Sequence, residues 1–214
     1  MSEKESLHAN FDDFDISIYN LIFLGNTIET TIKSFASIIN KVPDAQERAI
    51  WVATCSIVII QTVSFLEEFD KQLVSNNEEL NNAIALLKRA LKPATKQIRE
   101  WKELTQFRNA VLAHNLRDKK EEISVFDRGL DSYDIPKTGG DFSVLANCVS
   151  MIRKTFESPF MGRLKAMQDF LDRRGRNSFA SRFASGEAVA STVDRLANEI
   201  NANILELKLS VGAI

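Results

Sequence analysis

The stretch 107–115, "FRNAVLAHN", sets an arginine, two asparagines and a histidine close together in a chain that holds only two histidines, His8 and His114. Those side chains suit a phosphodiester. The planar guanidinium of Arg108 can take phosphate oxygens bidentately and stays charged at any working pH. The imidazole of His114 gains and loses a proton near neutrality, so it can act as general acid or base. Asn109 and Asn115 could orient the imidazole or a ribose hydroxyl. RNA carries its own nucleophile in the 2′-OH, so the chemistry asks for no metal and no cofactor.

Spacing alone does not join the pair. Six residues of helix correspond to about 600° of rotation, which leaves Arg108 and His114 roughly 120° apart and about 9 Å apart along the axis. Phe107, Ala110 and His114 form one stripe, with Ala113 beside it, and the small alanines leave room for another backbone or a ligand. Either the helix loosens near His114, or a second copy crosses here and each site mixes residues of two chains, as a two-fold dimer would allow. A histidine near a helix end also serves as a cap or a satisfied core residue.

The surrounding charge is segregated. Residues 1–87 hold five Lys/Arg against thirteen Asp/Glu, a net of −8, whereas residues 88–120 hold ten against three, a net of +7. Lys96, Arg99, Lys102 and Arg117 belong to that basic strip, which reads as a solvated helix face or as a track for an RNA backbone leading to the motif.

The elements that must position these residues are helical. Glycine and proline number only 8 and 4 in 214 residues, too few for the turns of an all-β fold, and no strand runs separate the apolar helical patterns. Apolar residues from Ile16 to Ile39 recur at helical spacing and predict a first helix over about 16–41. Pro43 opens a second, running to about Val74, with Asp44 and Glu47 in its first turn. Residues 49–66 of that helix carry no charge, near the lower limit for a membrane span. The polar Thr54, Ser56, Gln61, Thr62 and Ser64 favour instead a central helix buried on most sides, and no membrane is expected. A third helix is expected over about 78–92 and a fourth over about 94–115, with Ile98, Trp101, Leu104, Thr105, Val111 and Leu112 along one side. Residues 116–140 read as an irregular, mobile loop, Asp141 or Thr138 as the cap of a fifth helix over about 141–173, and Pro159 and Gly162 as kink points in it. The organisation is thus a polar segment 1–15, an all-α region of five to six helices over 16–175, and 176–214 as a basic linker and a last helix.

Other chemistries are weaker. Cys55 and Cys148 lack metal-ligand spacing, and their use suits a reducing compartment. With no signal peptide visible in "MSEKESLHANFDDFD", the expected location is cytoplasmic. Asp12, Asp13 and Asp15 read as an exposed acidic terminus, so no metal site is assigned. Ser178 and Ser181 have no base beside them, and Trp51 and Trp101 read as core.

The stretch "LTQFRNAVLAHNLRD" closely resembles the signature of the HEPN superfamily, an Arg followed after four to six residues by His, with a polar residue often directly after the Arg. Arg108, Asn109 and His114 match, and "RNAVLAHN" is similar to the form found in abortive-infection-type members. The resemblance extends over about 16–175 in helix order and rests on about nine residues. It implies an antiparallel helical bundle, a homodimer that pairs two motifs, and metal-independent RNase activity in toxin–antitoxin or phage-defence systems. It also implies a protein antitoxin or nucleotidyltransferase partner. Some members carry a Tyr two places after the His as the acceptor of a nucleotide; Leu116 stands there in this chain, which puts that route in doubt. Members without activity bind nucleotide, RNA or protein, so the fold by itself does not assign catalysis.

Overall fold

A computed structural model describes residues 11–113, 117–118, 123–124, 132–175 and 190–199. Among the described residues the fold is all-α, with seven helices against the five to six expected. They are α1 (Asp13–Ile38), α2 (Asp44–Glu67), α3 (Glu78–Ala90), α4 (Lys92–Ile98), α5 (Leu104–Ala113), α6 (Gly139–Gly175) and α7 (190–199). Two strands of two residues each, β1 (Arg117–Asp118) and β2 (Ile123–Ser124), pair antiparallel with Arg117 opposite Ser124. Met1–Gln168 form one compact unit and Asp169–Ile214 a second.

Local chemistry explains where the helices begin. Asp12 caps α1: its carboxylate accepts the N–H of Asp15 at 2.7 Å, and Asp15 returns the bond to the N–H of Asp12 at 3.3 Å. The acidic terminus is therefore a capping box, and Asp15 also pairs with Arg163 at 2.7 Å. Pro43 caps α2 with its carbonyl, which accepts from Gln46 and Glu47. Asn77 caps α3 through the N–H of Leu80 at 3.0 Å. Thr138 and Asp141 cap α6 together, each accepting the other's N–H. That helix continues through Pro159.

The core joins one stripe of each long helix. Phe14, Ile18, Leu21, Ile28 and Ile32 of α1 meet Val58, Ile59, Val63 and Phe65 of α2 and Phe142, Leu145, Val149, Ile152 and Phe156 of α6. Two charged residues enter it. Arg153 of α6 donates to Glu29 of α1 at 2.8 Å, both side chains being buried, and to the half-buried Glu157. Gly25 makes room for this arginine: a Cβ there would stand 3.0 Å from Arg153 Cδ.

Three expectations are corrected. The fourth helix is not continuous over 94–115; it breaks into α4 and α5 at residues 99–103. There Asp134 accepts the N–H of Lys102 through its carboxylate and that of Glu103 through its carbonyl. The segment 116–140 is not loose throughout. Tyr133, Ile135 and Pro136 are buried, and the Tyr133 ring meets Phe107 edge-on at 5.4 Å. Finally, α2 is less enclosed than expected. Gln46–Gln72 is long and apolar enough to cross a membrane, and only 39% of its apolar window is buried. Ile57 remains 46% exposed, so α2 gives one face to the core and leaves another open.

Candidate functional site

The site grows from the end of α2. After its apolar run the chain reads Glu67-Glu68-Phe69-Asp70, and the last turn widens into a π turn, Glu68–Gln72, in which Leu73 N–H reaches back to Glu68 C=O. The widened turn sends four consecutive side chains to four places. Glu67 pairs with Arg108 of α5. Glu68 accepts from Ser17 at 2.8 Å and Asn20 at 3.3 Å, both on α1. Phe69 enters the core and meets Phe156 edge-on. Asp70 accepts from Arg99 with both oxygens, at 2.6 and 2.7 Å.

Arg108 is held at one end. Its Nη1 donates to Glu67 Oε2 at 2.8 Å, and its side chain is 19% exposed against 43% for Glu67. The opposite edge of the guanidinium, Nε and Nη2, faces Asn109 Oδ1 at 3.4 Å from each nitrogen. Those contacts are longer than ordinary N–H···O bonds of about 2.7–3.2 Å. Among the described residues the bidentate edge is thus oriented but weakly occupied.

The stripe read as a surface for helix crossing turns inward. Phe107 and Ala110 are buried in the core of their own chain, because α5 packs along α2. Phe107 and Ala110 are thus covered within their own chain, whereas the side chains of Ala113 and His114, at the other end of the stripe, lie outside the described residues. Thr105, expected on the apolar side, is exposed, whereas Ile98 and Leu104 are buried and Trp101 is half-buried. His114 and Asn115 lie outside the described residues. Arg117 is described only as a strand residue of β1.

Part of the basic strip answers the acids at the end of α2. Arg99 is taken by Asp70 and Arg108 by Glu67. Lys88 donates to the carbonyls of Asp70 and Leu73 and lies over the Phe69 ring at 5.6 Å; burial lowers its ammonium pKa, and the charge of Asp70 offsets part of that. Lys96 and Lys102 are exposed, and Lys102 Nζ donates to the Arg99 carbonyl at 3.2 Å. Two of the ten cations of 88–120, Arg99 and Arg108, are thus paired with acids of 1–87.

Sequence reasoning missed Glu67 and Asp70. The available signal was an acidic run directly after an uncharged helix, in a chain whose opposing basic segment needed counter-charges. Among the described residues no group of His, Cys, Asp and Glu stands together as a metal site. Both cysteines are buried free thiols, and burial pushes Cys55 up to about 12.

Comparison with protein-family models, with curated proteins and with solved structures finds no match.

Proposed function

We propose that this protein is a metal-independent RNA endonuclease of the HEPN type, a cytoplasmic toxin or phage-defence effector that works as a homodimer. The observation that carries the reading is the state of Arg108. Glu67 fixes one end of its guanidinium, while among the described residues the Nε/Nη2 edge meets the long contacts of Asn109. A phosphate displacing those contacts gains two charge-assisted hydrogen bonds and loses two weak ones. In the reaction the 2′-oxygen attacks phosphorus and the bond to the 5′-oxygen breaks. The products are a 2′,3′-cyclic phosphate and a 5′-hydroxyl. Arg108 stabilises the charge that develops on the phosphoryl oxygens. His114 exchanges protons with the 2′-OH or the leaving oxygen. Asn109 and Asn115 position the pair, and Lys96, Lys102 and Arg117 track the backbone. Arg99, already taken by Asp70, has a smaller share than its place in the strip suggested.

Cleavage of bulk RNA with chelator present tests this. His114→Ala should lower the rate about 10²–10⁴-fold, the usual weight of general acid–base catalysis. Arg108→Lys should restore only part of what Arg108→Ala removes, because an ammonium lacks the fork. Full activity in folded, pure His114→Ala protein would end the nuclease reading.

The Glu67–Arg108 pair also favours a second reading. An arginine already matched by a carboxylate ties α5 to α2 and suits a non-catalytic module that binds nucleotide, RNA or protein. That reading gains if the wild-type protein binds RNA without cutting it.

A further inference from the structure

Next to Arg108 a groove of about 370 Å³ opens between the end of α2 and the turn joining α4 to α5, within the range of small-ligand sites, about 300–1,000 Å³. We infer that this groove is a subsite for one unpaired nucleobase and its phosphate, with Trp101 as the stacking platform. The inference rests on the RNA reading above and names what that site would select: single-stranded RNA.

Three features of the lining point there. Trp101 lines the groove and is only half-buried, packed on the core at its margin. Val63 and Leu66 add apolar wall. A flat π ring at the rim of a groove of mixed apolar and charged lining takes any base by stacking, without reading its edges. The second feature is charge. Within the groove Arg99 is neutralised by Asp70, and Glu67 by Arg108. Lys71 and Lys102 also line it, both exposed and neither with an acidic partner among the described residues. The balance left over is cationic, as a phosphate requires. The third is continuity. Glu67 both lines the groove and holds Arg108, and Leu104 and Thr105 of the same lining lie one helical turn before Arg108 on α5. A base seated on Trp101 therefore belongs to a nucleotide close to the phosphate at Arg108. In a duplex both faces of that base are already stacked, so only an unpaired base reaches the indole.

The test uses a twelve-residue 2′-O-methyl oligouridylate, which has no free 2′-OH and is not cut by 2′-OH attack. It is compared with the same strand annealed to its complement and with inorganic polyphosphate. Tryptophan fluorescence and titration are the readouts. The single strand should quench the emission. Trp101→Leu should weaken binding about 5- to 150-fold, the weight of one base–aromatic stack, and Trp101→Phe should keep most of the affinity. The duplex should bind at least tenfold more weakly. Lys71→Ala and Lys102→Ala should each lower the salt slope by about one. Unchanged affinity in folded Trp101→Leu overturns the inference, and so does equal binding of the duplex or full competition by polyphosphate with no quenching. If Trp101→Leu fails to fold, the quenching of wild-type protein and the affinity of Trp101→Phe decide. Stacking on Trp101 in a protein that never cuts unmodified RNA would keep this subsite and remove the nuclease reading. Unchanged cleavage rate and KM in Trp101→Leu would do the reverse.

Discussion

Arg108 Nη1 stands 2.8 Å from Glu67 Oε2, a bond across 41 positions of sequence that joins the motif helix α5 to the end of α2. Because Glu67 is 43% exposed, the pair should add only about 0.5–1 kcal/mol to stability. Its larger effect should be on orientation. Glu67→Gln keeps an acceptor and should leave the thermal midpoint nearly unchanged. Glu67→Ala frees the guanidinium and should lower kcat on RNA more than it raises KM. Urea unfolding beside steady-state kinetics checks both; equal losses of stability and activity would make the pair a structural tie.

The triad of Arg153, Glu29 and Glu157 is the most tightly enclosed charge cluster described, and Gly25 sits against it. Gly25→Ala would normally gain about 1 kcal/mol of helix propensity. Here the new Cβ would press on Arg153, whose guanidinium is pinned by two carboxylates. Overpacking of about 1–3 kcal/mol should win, so the variant should unfold at lower urea. Arg153→Met should cost about 3–5 kcal/mol by leaving Glu29 buried with, among the described residues, Lys33 at 3.8 Å as counter-charge. A midpoint equal to wild type for Gly25→Ala would show that the arginine can yield.

Asp134 and Glu103 bracket each other across the break between α4 and α5. Asp134 N–H donates to Glu103 Oε2 at 2.6 Å, and Glu103 N–H donates to Asp134 C=O at 3.1 Å. The amides of Lys102, Glu103 and Asp134 should therefore exchange slowly although they lie outside long helices. Asp134→Ala should speed exchange at Lys102 and cost about 1 kcal/mol. Fast exchange at all three in wild-type protein would contradict the docking of 132–138.

Asp141 offers a pH signature. Burial pushes its carboxyl pKa up, but hydrogen bonds from Lys137 and Thr138 outweigh this and hold it below its ordinary 3.8. A depressed folded pKa contributes stability that is fully present above the unfolded value and is lost as pH falls through the folded one. Asp141→Asn should thus be less stable than wild type at pH 7, and the gap should narrow as pH falls below about 4. Parallel stability curves from pH 7 to pH 2 would assign the cap to geometry alone.

The helices themselves were legible in the sequence, and the reason is local. Periodic apolar residues, Thr138 or Asp141 at the cap of α6 and Pro43 at the start of α2 act within one or two turns, so spacing reveals them; Asp12, read as part of an exposed acidic terminus, proved to be the cap of α1. The proximity of Arg108 to Asn109 was equally visible. The tertiary structure decided which face of each helix turns inward. Phe107 and Ala110 suit a crossing with a second copy as well as a crossing with α2, and periodicity cannot tell which partner fills the contact. It also decided the break at 99–103, because the carboxylate and carbonyl that satisfy those amides come from Asp134, about thirty residues later. The counter-ions of the basic strip were hidden for the same reason. Glu67 meets Arg108, and Asp70 meets Arg99, only because α2 and the α4–α5 turn pack side by side, and a π turn re-aims four neighbouring side chains in a way no helical period encodes.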